Sequence, residues 1–191
     1  MQTPGVQYVP MFYIAQKLAM TANRYRVLAA NPDGTEGALM AFAHQKRMAF
    51  KEKVTFYAEE QMTTPVFGFG ARQAIDLSAG YDVVDAAGAP LGFFKKEFAA
   101  SLVRSTFVIE GPGYRGSGTE RSQAVAIARR FVDFPFRFHF DFLDAVTGHS
   151  LFSVDRRASL RDRYVVSVAD QRIDWRVAAS VTVALDAMMA R

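Results

Sequence analysis

The chain has 191 residues, half of them hydrophobic and 22% charged, which is ordinary for one folded domain with a sizeable core. Twenty-three Lys and Arg against 19 Asp and Glu give a net charge of +4, too mild to name a partner by itself. Cysteine is absent, which excludes disulfides, thiol catalysis and thiolate metal sites and fits a reducing compartment.

From the N-terminus, residues 1–10 read as irregular, with Pro4 and Pro10 interrupting them and no basic segment ahead of an apolar one, so a cytoplasmic protein without a signal peptide is expected. Short strand-like runs then follow one another. They fall near 11–18, 25–30, 38–44, 53–59, 65–72, 80–85, 91–97, 105–110, 123–131, 136–143, 149–155 and 163–169, about twelve in all. Asn31-Pro-Asp-Gly34, Asp85-Ala-Ala-Gly88 and Thr147-Gly148 supply hairpin turns between them. Gly111-Pro-Gly113-Tyr-Arg-Gly116 matches a GxGxxG pattern but lacks βαβ context, so it reads as a flexible loop. Residues 120–131 fit either strand or helix. From Phe134 to Phe142 every even position is Phe, a period of two that places five rings on one buried face.

Trp175 to Ala190 differs from everything before it. It is Ala-rich, without Gly or Pro, and apolar on nearly all sides. Such a helix must be enclosed by protein or lipid. At about 24 Å it falls short of the roughly 30 Å hydrocarbon core, and it carries Arg176 and Asp186, so enclosure by the chain's own strands is expected. A repeat supports this. Tyr81–Asp85, a Gly turn, Leu91, Lys95-Lys96 and Ser101-Leu102 match Phe140–Asp144, a Gly turn, Leu151, Arg156-Arg157 and Ser159-Leu160, with a fainter copy from Tyr25 through Lys46-Arg47 to Tyr57. Repeated hairpins with one apolar face call for a closed sheet. A barrel of about twelve strands is too wide for strand side chains alone to fill, which leaves the final helix, 174–190, as its plug. The expectation is a single mainly-β domain over 1–191, a closed antiparallel barrel around a central C-terminal helix.

The stretches YDVVDAAGAPLGFFKKEFAASLVRSTFVIEG and FHFDFLDAVTGHSLFSVDRRASLRDRYVV, with the closing Asp174–Asp186 segment, resemble bacterial members of the LURP-one-related and phospholipid-scramblase group of the tubby C-terminal-like superfamily. The resemblance covers roughly residues 10–190, and it implies a twelve-stranded barrel around a central helix. Tubby-like domains bind phosphoinositide headgroups, whereas eukaryotic scramblase relatives place an acidic calcium-binding stretch before the last helix. Here that place reads Arg163–Arg172 with Asp170 as its one carboxylate, a poor calcium ligand set.

No Ser/His/Asp or paired-carboxylate grouping stands out, so no catalytic residue, metal site or cofactor is assigned. His139 and Asp141 share one strand face, half a metal site at most. Basic pairs at matching repeat positions carry the functional expectation. Lys95, Lys96, Arg156, Arg157, Arg161 and Arg163 would gather at one barrel end and bind anionic phospholipid or phosphoinositide headgroups, making the chain a non-enzymatic binding or scaffold domain. The blander reading has these residues paired with Asp133, Asp155 and Asp162. Anionic membrane lipids or a protein partner are the expected contacts; nucleic acid is not, since the aromatics alternate into the core. The competing reading is a small-ligand carrier or enzyme with a pocket at the barrel mouth.

Overall fold

A computed structural model describes residues 5–18, 22–46, 53–72, 80–97, 106–121, 139–157 and 163–189. Twelve strands, β1 (Met11–Leu18), β2 (Ala22–Ala30), β3 (Glu36–Lys46), β4 (Lys53–Tyr57), β5 (Pro65–Ala71), β6 (Tyr81–Asp85), β7 (Pro90–Glu97), β8 (Thr106–Gly111), β9 (Tyr114–Glu120), β10 (His139–Asp144), β11 (Ser150–Arg157) and β12 (Arg163–Val168), pair antiparallel with their chain neighbours. β12 pairs with β1 from Met11↔Ser167 to Ala15↔Arg163 and closes the barrel. The helix α1 (Trp175–Met189) lies inside, and every residue from Val177 to Leu185 is fully buried.

The physical logic is that of an axle. Ala178, Ala179, Ser180 and Ala184 keep α1 thin, so large rings from the wall can reach it. Phe12 and Phe67 meet the Trp175 ring edge-on at centroid distances of 6.2 and 5.3 Å. Phe56 stacks on Phe67, and Phe142 on Phe152, both at 4.2 Å. Each fully buried ring contributes about 1.5–3 kcal/mol of transfer free energy, which makes this aromatic lining the main stabilising term. The expected alternation holds where it is described: Phe140 and Phe142 are fully buried, while Phe134, Phe136 and Phe138 lie outside the described residues.

One strand departs from the sequence reading. The ninth strand is Tyr114–Glu120, in the segment read as a flexible glycine loop, while the expected strand at 123–131 lies outside the described residues. Glycine has poor strand propensity, which hid it. Here it is needed on packing grounds. A Cβ on Gly118 would sit 2.3 Å from the Phe142 ring, and one on Gly116 would sit 2.5 Å from Leu151 Cδ1. Gly113, at φ 76°, makes the turn between β8 and β9.

The β2–β3 hairpin does more than continue the wall. Register shifts at Val27/Leu28 and Leu28/Ala30 bend it. Tyr13, Leu28 and Val165 form a second small core on the outer face, with Met11, Ala15, Ala30 and Leu39 packed on it. Tyr13 donates its hydroxyl to the Gly34 carbonyl at 2.6 Å, and Glu36 reaches Arg163 at 2.8 Å. The hairpin tip therefore folds back over β1 and β12.

Among the described residues, no helix is long and apolar enough to cross a membrane.

Candidate functional site

The barrel has two chemically different ends. At the end where α1 begins, Asp174 caps the helix by accepting from the Arg176 backbone N–H at 2.9 Å. The Arg176 guanidinium grips the same carboxylate at 2.9 and 2.7 Å, and both side chains are buried. The Gln7 backbone N–H donates to Asp174, and the Trp175 indole donates to the Gln7 side-chain carbonyl at 3.1 Å. Around them Arg172 binds Asp144, Asp170 and the Gly113 carbonyl at 2.6–2.8 Å. Backbone N–H groups of Thr147 and Val146, with Arg172, pull the Asp144 carboxyl down to about 2. Every charge in this cluster meets an opposite charge.

Odd-numbered strands run from this end to the other, because Gln7, just before β1, is bonded to the start of α1. The sequence-chosen pairs Lys95-Lys96 and Arg156-Arg157 close β7 and β11, and Arg163 opens β12, so all five belong to the far end. Arg161 lies outside the described residues. They do not form one patch. β7 and β11 are separated by four strand spacings, about 19 Å along the wall. Alternation from the buried Phe94 and Val154 places Lys96 and Arg156 on the inner side, half-buried, and Lys95 and Arg157 outside. Lys95 is bound to Glu97 at 2.7 Å. Arg157 is exposed and stands directly opposite Arg163, itself tied to Glu36. The pairing proposed for the blander reading takes other forms: Asp155 bonds His139, while Asp133 and Asp162 lie outside the described residues.

Three basic residues missed in the sequence continue the Arg157–Arg163 row. Lys17 of β1 is in register with Arg24 of β2, and Arg24 is in register with His44 of β3. All three point outward, since their chain neighbours Gln16, Tyr25, Ala43 and Gln45 are buried. Like charges directly opposite on a sheet destabilise it. No ion pair joins Lys17, Arg24 or His44 to a carboxylate among the described residues. Arg157, Arg163, Lys17, Arg24 and His44 thus form an outer band across five adjacent strands, β11-β12-β1-β2-β3, with a step of two residues where Arg163 stands opposite Ala15 and not Lys17. It exists because closure sets the first strand beside the last. No local pattern announces it, and only the β1–β12 pairing could have revealed it.

Inside the same end the chemistry inverts. Asp186, in the last turn of α1, is buried and accepts from Gln16 Nε2 at 2.6 Å, from the Tyr25 hydroxyl at 2.7 Å and from the Tyr164 hydroxyl. Burial first, then the Asp186 charge, hold the Tyr25 phenol well above its usual range, so it stays a donor. Asn23 Nδ2 and Gln45 Oε1 lie 3.4 and 3.3 Å from the same hydroxyl.

Both ring nitrogens of His139 face carboxylates. It lies on the outer wall between Asp155 and Asp141, with its Nε2 2.7 Å from Asp141, and Arg121 closes the far side of Asp141 at 2.9 Å. Among the described residues no group of three or more His, Asp or Glu side chains is arranged to hold a metal ion.

No protein-family model and no curated protein matches the chain.

Proposed function

We propose that this chain is a non-enzymatic binding module, of the LURP-one-related and scramblase-like kind its repeats resemble, that docks on anionic phospholipid surfaces through its outer basic band. The supporting observation is the row Arg157, Arg163, Lys17, Arg24 and His44 on five adjacent strands, where Arg157 faces Arg163 and Lys17 faces Arg24, and where Lys17, Arg24 and His44 have no carboxylate partner among the described residues. Such a row is destabilising alone and is relieved when phosphate oxygens lie across it. Magnitude favours a surface over a single soluble headgroup. Each Lys or Arg near an anionic leaflet contributes about 1 kcal/mol. Lys17, Arg24 and Arg157 together then give roughly 3 kcal/mol, weaker than a millimolar complex. Many headgroups presented side by side raise that avidity without new contacts. The attachment is peripheral.

The test is co-sedimentation of the full chain with phosphatidylglycerol and with phosphatidylcholine vesicles, at low and high salt. Binding to the anionic vesicles alone, falling as salt screens the charges, is the expected result. Equal binding to both lipids, or to neither, overturns the proposal.

A further inference from the structure

β3 outruns its partner on one side. It runs beside β2 from Glu36 to Lys46, but toward β4 only Phe42 and Ala43 find ladder partners, Tyr57 and Phe56. The cause is local. β4 ends at Tyr57, and Ala58 turns off, its N–H donating to the Thr64 carbonyl at 2.9 Å. The register shifts at Val27/Leu28 and Leu28/Ala30 swing the other half of the β2–β3 hairpin over β1 and β12, away from β4. Glu36 to Ala41 therefore form a strand edge about 20 Å long, paired with β2 on one side only. From its other side no backbone–backbone hydrogen bond reaches another described residue. Both banks of the opening are exposed, at Ala38 on one and at Ala58, Thr64 and Pro65 on the other. Met40 of the edge is half-buried and packs on the core, and Met62, in the turn after β4, is 40% exposed.

We propose that this edge takes an extended peptide of a partner protein as an added strand, in the lane that β4 leaves past Tyr57. An edge strand presents alternating N–H and C=O groups, and the complement of such a row is another main chain. Charge decides which chain fits. Asp33 and Glu59, on the two turns that flank the edge, accept only from Thr35, Thr63 and Thr64 of their own turns and have no cation partner among the described residues. Two-fold pairing of β3 with a second β3 brings these carboxylates of both copies together, so self-association is disfavoured. A segment that alternates apolar residues with Lys or Arg meets the same carboxylates favourably. Its apolar residues lie toward Met40 and its cations toward solvent and the turns. The edge begins at the end of the barrel where α1 starts, opposite to the basic band, so it stands apart from lipid docking.

Hydrogen exchange of the full chain, read amide by amide with and without the capped peptide acetyl-Lys-Val-Lys-Val-Lys-Val-amide, tests this. In the free chain the Glu36–Ala41 amides that point away from β2 should exchange fast. Saturating peptide should slow them at least tenfold and leave the amides of β8 and β9 unchanged. Methylating every backbone nitrogen of the peptide keeps its side chains and charge but removes its donors, and this form should bind at least tenfold weaker. A version with Glu in place of Lys should weaken similarly. Ala38→Arg, at an exposed position, adds like charge to the edge; it should weaken the Lys peptide about fivefold and melt with the parent. Slow exchange throughout Glu36–Ala41 in the free, dilute chain means that the lane is already filled, and it overturns the proposal. Protection that grows with protein concentration alone assigns the edge to a second copy and overturns it too. So do an N-methylated peptide that binds equally well, binding that leaves the edge amides or the Ala38→Arg affinity unchanged, and no binding at all.

Discussion

The two ends of the barrel use similar residue types to opposite effect. Where α1 starts, Asp174, Arg176, Arg172, Asp144 and Asp170 neutralise one another at close range, three of them buried, and they tie the first described residues to the last helix. Where α1 ends, polar groups are sorted by side of the wall: basic side chains outside on β11, β12, β1, β2 and β3, and the hydrogen-bonded cluster around Asp186 inside. The first arrangement holds the fold closed. The second leaves Lys17, Arg24 and His44 on the outer face without a carboxylate partner among the described residues.

Asp174→Ala is the hardest test of the locked end. It removes the helix cap and strands the buried Arg176 guanidinium, at a cost of about 3–5 kcal/mol and a fall in Tm on the order of 10 °C for a chain of this size. A melt within a degree or two of the parent would make the two ends equivalent. Acid separates them more gently. The Asp144 carboxyl titrates at about 2 in the folded protein, below the usual unfolded value of about 3.9, so its stabilisation is present above that value and is lost as pH falls toward 2. Asp170 is shifted the same way by Arg172. Denaturant midpoints measured from neutrality down to pH 2 should fall steeply below pH 4, and Asp144→Asn should flatten that limb. The smallest effect belongs to the rim. Arg24→Glu places an acid opposite Lys17 and beside His44, so stability should rise by about 0.2–1 kcal/mol while anionic vesicle binding drops. A variant that loses both stability and binding would turn the band into a structural feature.

How far the sequence reached follows from the range of each interaction. Alternating Phe residues and the Ala-rich final segment are local patterns, and they led to the right barrel and axle. β9 escaped because Gly116 and Gly118 are chosen for the rings of Phe142 and the side chain of Leu151, which lie on other strands. The matched pairs Lys95-Lys96 and Arg156-Arg157 do share an end, as the repeat implied, but strand order sets them far apart and Glu97 and Glu36 occupy Lys95 and Arg163. The band needed β1 to pair with β12, with Arg163 opposite Ala15 and Lys17 two residues further along β1, a closure contact across some 150 residues of chain that no window detects.

The buried axle also orders events during synthesis. The wall leaves the ribosome first, strand after strand, each with an inner face of Phe, Tyr and Val made to pack on a helix not yet translated. Until Trp175 to Leu185 emerge, those rings have no partner and β12 has only just become available to close on β1. Exposed apolar strands of this kind are the species most prone to aggregate during folding. A chain truncated before Trp175 would therefore have the wall without the helix that fills it.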